Sequence, residues 1–106
     1  MSAGPYSIGA DKWPGLSKLA EEAGEVLQVI GKIVGASGSV DHWDGGPPLD
    51  QRLLDEMADV WAAILYVTSA CDLDRNQLFE RTEAKFVLFQ KWHAESRPAA
   101  SPGETQ

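Results

Sequence analysis

The chain has 106 residues, with sixteen acidic against nine basic side chains and a formal charge of −7. That length suits one core rather than two, and 43% hydrophobic residues exclude a wholly disordered chain. The one cysteine, Cys71, excludes an internal disulfide and a cysteine-based zinc site.

The longest apolar run, Val60 to Val67, falls far short of the ~20 residues of a membrane span. Met1 to Ala10 lacks the basic start and apolar stretch of a secretory signal, so the expected location is cytoplasmic, with no membrane partner. Met1 to Asp74 holds twelve acids and four bases, a balance of −8, whereas Arg75 to Gln106 stands at +1. An acidic front repels phosphate backbones and attracts cations, which argues against nucleic acid as a partner.

Apolar residues recur at threes and fours from Ser17 to Val34, through Leu19, Ala23, Val26, Leu27, Ile30 and Ile33, and predict a first helix. Pro14 and Ser17 suit its start and Gly35 its stop. The segment Gly35 to Pro48, with four glycines and two prolines, reads as a long loop of the kind that closes over a ligand.

A second helix is expected from Leu49 or Asp50 to Ala70, striped by Leu53, Leu54, Met57, Trp61, Ile64 and Leu65. Because Val60 to Val67 is apolar on every helical face, it must be covered on every face. Three helices can hardly do that, so a homo-oligomer with this helix at its centre is expected. Asp74 and Gln77 match a capping box opening a third helix that runs to about Glu95, with Phe86, Phe89 and Trp92 at helical spacing. Short connections favour antiparallel neighbours. The expected fold is all-α: an antiparallel helical bundle of three main helices per chain, completed by homo-oligomerisation. Residues 1–95 form the domain, and residues 96–106, rich in proline and small polar residues, form a disordered tail.

The informative pattern is Glu21-Glu22-Ala23-Gly24-Glu25 in the first helix and Asp55-Glu56-Met57-Ala58-Asp59 in the second. Each contains two acids three residues apart, which share a helix face. Measured from the apolar stripe of its own helix, Glu22 lies about 80° off and Glu56 about 100° off, both with the same sign. Antiparallel packing then brings Glu22, Glu25, Glu56 and Asp59 to one side. Two carboxylates 4 Å apart repel by roughly 4 kcal/mol at an effective dielectric near 20, so four need protons or a cation. All-oxygen ligands favour Mg²⁺, Mn²⁺ or Ca²⁺, and Mg²⁺ characteristically completes its shell with substrate phosphates. A di-iron bundle wants Glu-x-x-His pairs, which neither His42 nor His93 supplies. Candidate phosphate-binding cations are Lys18, Lys32, Arg75, Arg81, Lys85 and Lys91.

Leu19 to Val26 followed by Asp55 to Val60 resembles the EExxE…ExxD signature of the MazG-like all-α nucleoside triphosphate pyrophosphohydrolases. The resemblance spans roughly Leu16 to Phe86. It implies Mg²⁺-dependent cleavage of a nucleotide between its α- and β-phosphates in a helical bundle completed by dimerisation; the sequence leaves homodimer or homotetramer, and Mn²⁺ as a substitute, open. Matched by position, it implies Glu22, Glu25, Glu56 and Asp59 as metal ligands and Glu21 as an accessory acid; the four acids on one flank suggest that Glu21 or Glu22 assists an attacking water. Lys85-Phe86 fits the family's basic–aromatic pair, but Thr82 stands where many relatives carry Asn. Lys18, Arg81, Lys85 and the loop's Trp43 complete the candidate substrate contacts. Trp13, Trp61 and Trp92 read as packing residues. The competing reading is a catalytically silent helical dimer that serves as an interaction or regulatory module.

Overall fold

The computed structural model describes residues 4–41 and 43–98, and places three helices in them: α1 (Leu16–Gly35), α2 (Leu49–Ala70) and α3 (Arg75–Ser96). No strand occurs among the described residues, and no helix is long and apolar enough to cross a membrane. Residues 99–106 of the expected disordered tail, and His42, lie outside the described residues. The chain divides into two units, Met1–Leu73 and Asp74–Gln106.

In the first unit α1 packs on α2. The two run in opposite senses: Gly15, at the head of α1, lies against Tyr66 and Val67 near the end of α2. Further along, Lys32 shares a groove with Arg52, near the start of α2. The residues withdrawn from solvent include a heptad-like repeat on both helices. Those on the repeat are Leu19, Glu22, Val26, Val29 and Ile33 on α1 and Leu49, Leu53, Glu56, Val60, Ala63 and Val67 on α2; Lys18, Gly24, Glu25, Arg52, Ile64, Leu65 and Thr68 beside them are also half-buried or buried. Alternating steps of three and four keep one side of each helix on the seam.

The seam therefore lies to one side of the expected apolar stripes, sharing Leu19, Val26, Ile33 and Leu53 with them. Leu27 (67% exposed), Val34 (72%), Leu54 (57%) and Met57 (47%) belong to the expected stripes and stand in solvent. Trp61 (41%) and Trp92 (49%), read from sequence as packing residues, are likewise only partly covered within one chain. Each helix carries more apolar surface than one partner helix can bury, so the hydrophobic pattern spans two faces, only one of which meets the other helix.

The start of α1 and both ends of α2 are closed by nearby groups. Gly15 caps α1 in a left-handed conformation with no side-chain acceptor. Carbonyls of the preceding segment serve instead: Trp13 accepts from Leu16 N, and Tyr6 from Ser17 N. At the far end of α2, Leu73 N donates to Thr68 O across the left-handed Asp72, and the Thr68 hydroxyl donates to Ile64 O. The long loop is anchored rather than loose. Leu49, fully buried, donates its N–H to Val40 O. Arg52 grips Asp44 with both guanidinium nitrogens, at 2.9 and 2.6 Å, and donates to Pro47 O.

In the second unit, Asp74 caps α3 by accepting from Gln77 N at 3.1 Å, the side-chain half of the expected box. Arg75 lies over the Phe79 ring and Lys85 over Phe89, while Phe89 and Trp92 contact each other at a tilt.

Candidate functional site

Two positions on the seam that would ordinarily hold leucine hold glutamate. Glu22 on α1 and Glu56 on α2 both occupy inward, half-buried positions, and Asp59, one turn beyond Glu56, stands at the exposed rim. One carboxylate oxygen from each of the three lies within 4.8 Å of the others. Glu25, one turn along from Glu22, is close enough to Glu56 to hydrogen-bond it. The four acids picked from their spacing thus gather on one stretch of the α1–α2 seam.

This gathering is electrostatically costly. Oε2 of Glu22 and Oε2 of Glu56 are sealed from solvent and meet no donor. Glu25 is itself an acceptor, so it satisfies Glu56 only when one of the pair holds a proton. The proton affinity of Glu56 is accordingly raised above the ordinary carboxylate value. The hydrogen bond with Glu25 contributes most, followed by burial and then the negative charges of Glu25, Asp59 and Glu22. Buried acceptors without donors are costly in protein alone and become ligands when a cation is present. The donor set is all oxygen and anionic, which suits Mg²⁺, Mn²⁺ or Ca²⁺ and not softer ions.

Lys18 borders the cluster. Its ammonium lies 3.4 Å from Glu21 and 3.5 Å from Glu22. Glu21 first, and Glu22 after it, hold that proton more tightly than usual. Glu21 is not one of the three converging acids; its side chain is 56% exposed and engages Lys18.

The cluster separates two depressions of opposite character. On one side a 390 Å³ groove is polar, bounded by Glu25, Gln28, Lys32, Arg52, Asp55 and Glu56. On the other a 490 Å³ cavity is mostly apolar, with Ile8, Gly15, Ala62, Ala63 and Tyr66 in its wall and Lys18, Glu22 and Asp59 lining it as well. Trp43 borders a third, open groove of 540 Å³ with Gln28, Lys32 and Asp41; Glu22, Glu56 and Asp59 do not line it. Arg81 and Lys85 belong to the second unit, where they share a shallow groove with Leu88 on α3.

Sequence reasoning missed Arg52, Ile8 and Tyr66. Arg52 carried a usable signal, since it precedes Glu56 by four residues and so shares its helix face. Ile8 carried none, because its position depends on how the segment before α1 folds back. Compared with known family models, curated proteins and solved structures, the chain matches none.

Proposed function

We propose that the chain is a Mg²⁺-dependent nucleotide pyrophosphohydrolase, cleaving a nucleoside triphosphate between its α- and β-phosphates to monophosphate and pyrophosphate. The observation that carries this reading is the meeting of Glu22, Glu56 and Asp59 with two carboxylate oxygens buried and unsatisfied. The MazG-like signature over Leu19–Val26 and Asp55–Val60 supports it.

Glu22, Glu56 and Asp59 would hold the ion, with Glu25 beside them. The ion supplies neutralisation of phosphate charge and a lowered pKa for water. The chain's own residues do the rest. Lys18, at the rim of the cluster, offers a cation to the phosphates, and Lys32 offers another in the polar groove. Glu21 or Glu22 stands ready to take a proton from the attacking water.

The reading includes a homo-oligomer in which the open faces of α1 and α2 are covered by a second copy, completing a helical bundle. Leu27, Val34, Leu54 and Met57, all about half exposed or more, support it, since contiguous exposed apolar patches mark interaction surfaces. Light scattering at micromolar concentration should return a multiple of 11.5 kDa; a monomer would defeat this part.

The deciding experiment is pyrophosphate release from all ribo- and deoxynucleoside triphosphates with Mg²⁺ or Mn²⁺. Turnover should depend on the metal and vanish in Glu56→Gln and Asp59→Asn while helix content persists. Activity retained in both variants would sink the assignment.

A further inference from the structure

The cavity on the apolar side of the cluster has a built wall. The segment before α1 folds back onto the helix: Ser7 O accepts from Gly15 N, Tyr6 O from Ser17 N, and Pro5 O from the Ser17 hydroxyl. That fold-back carries Ile8 into the cavity lining opposite the α2 residues. Gly15 lets the aromatic ring come close. A Cβ there would stand 2.6 Å from Tyr66 Cδ2 and 2.7 Å from Cε2, and its φ of 89° already disfavours a side chain. The ring of Tyr66 therefore packs directly on backbone. Ala62 and Ala63 keep the neighbouring α2 surface low.

Resting on the function proposed above, we infer that this cavity of Ile8, Gly15, Ala62, Ala63 and Tyr66 takes the base-bearing end of the substrate while its phosphates lie at the carboxylates. Three features favour a flat heterocycle over any other occupant. The cavity shares Glu22 and Asp59 with the acid cluster, so one molecule can reach both. Its volume of 490 Å³ lies within the range of small-molecule sites. Its wall includes the Tyr66 ring and aliphatic side chains, the chemistry that binds a base by stacking and tolerates different bases. The phosphates would then extend toward the polar groove, where Lys32 and Arg52 lie.

The test compares ligands with and without a base. Titration calorimetry in Mg²⁺ would measure the α,β-methylene analogues of ATP, GTP, CTP and UTP against inorganic tripolyphosphate. Wild type should bind at least one analogue about tenfold or more tighter than tripolyphosphate, the scale of base–aromatic stacking. Ala62→Phe fills the cavity from an exposed α2 position, and Tyr66→Leu removes the aromatic face. Each should bring the nucleotide-to-tripolyphosphate affinity ratio toward one. An unchanged ratio in either variant that keeps wild-type helix content overturns the inference. So does a wild-type ratio near one for all four analogues, and in both cases tripolyphosphate binding leaves the metal–phosphate reading standing. No binding of any ligand to wild type overturns that reading, and the cavity's assignment with it.

Discussion

Glu56 faces Glu25 across the α1–α2 seam, and that contact, with burial and the neighbouring carboxylates, raises the proton affinity of Glu56 above its ordinary value. A carboxyl that holds its proton more tightly folded than unfolded stabilises the fold in acid. That contribution is complete below the unfolded value, near 4.5, and is lost as pH rises through the raised folded value. The metal-free protein should therefore lose melting temperature on going from mildly acidic to neutral pH. Glu56→Gln, which cannot ionise, should melt higher than wild type at neutral pH and show a flatter pH profile. Parallel profiles in thermal melts followed by circular dichroism would count against a raised proton affinity at Glu56.

A cation does at neutral pH what protons do in acid. Mg²⁺ or Mn²⁺ should raise the melting temperature of wild type, with a stabilisation of about 2.7 kcal/mol at a hundredfold excess over Kd. Asp59→Asn should lose most of that gain. Its pyrophosphate release should fall by at least the roughly 100-fold that loss of an outer-sphere partner can cost. Equal metal-induced shifts in both proteins would show that Asp59 is not a ligand.

Leu49 is the one fully buried large side chain among the described residues, and it sits where the loop enters α2. Leu49→Ala should cost about 2–5 kcal/mol, the range for deleting a buried leucine side chain. Urea unfolding measures it directly. A loss below about 0.5 kcal/mol, typical of surface positions, would show that Leu49 is not packed as described.

The loop should respond to Arg52 without the fold doing so. Arg52 and Asp44 are 17% and 31% exposed, and a single ion pair that tethers a loop contributes little to global stability. Arg52→Ala removes the grip on Asp44 and Pro47 together. Limited proteolysis should then cut within residues 36–48 several-fold faster, with the melting temperature nearly unchanged. Equal cleavage rates would mean that Leu49 and Val40 alone hold the loop.

Local rules read from the chain itself determined a good deal here. The three- and four-residue recurrence located the helices to within a residue or two, and Asp74 announced its cap on Gln77. The acid spacing selected Glu22, Glu25, Glu56 and Asp59 before any coordinates, because residues three apart must share a helix face. What only the tertiary structure decided was which face each helix turns inward. Stripes through Leu27 and Met57 are as apolar as those through Val29 and Val67, yet solvent meets the first pair and the seam encloses the second. Periodicity gives angles around one axis and is silent about which of two apolar faces meets the neighbouring helix. Hence the glutamates, expected at the flank of the buried stripes, lie on the seam itself. The anchoring of Asp44 by Arg52 and the approach of Ile8 to Tyr66 were equally invisible, since both depend on where the chain returns in space.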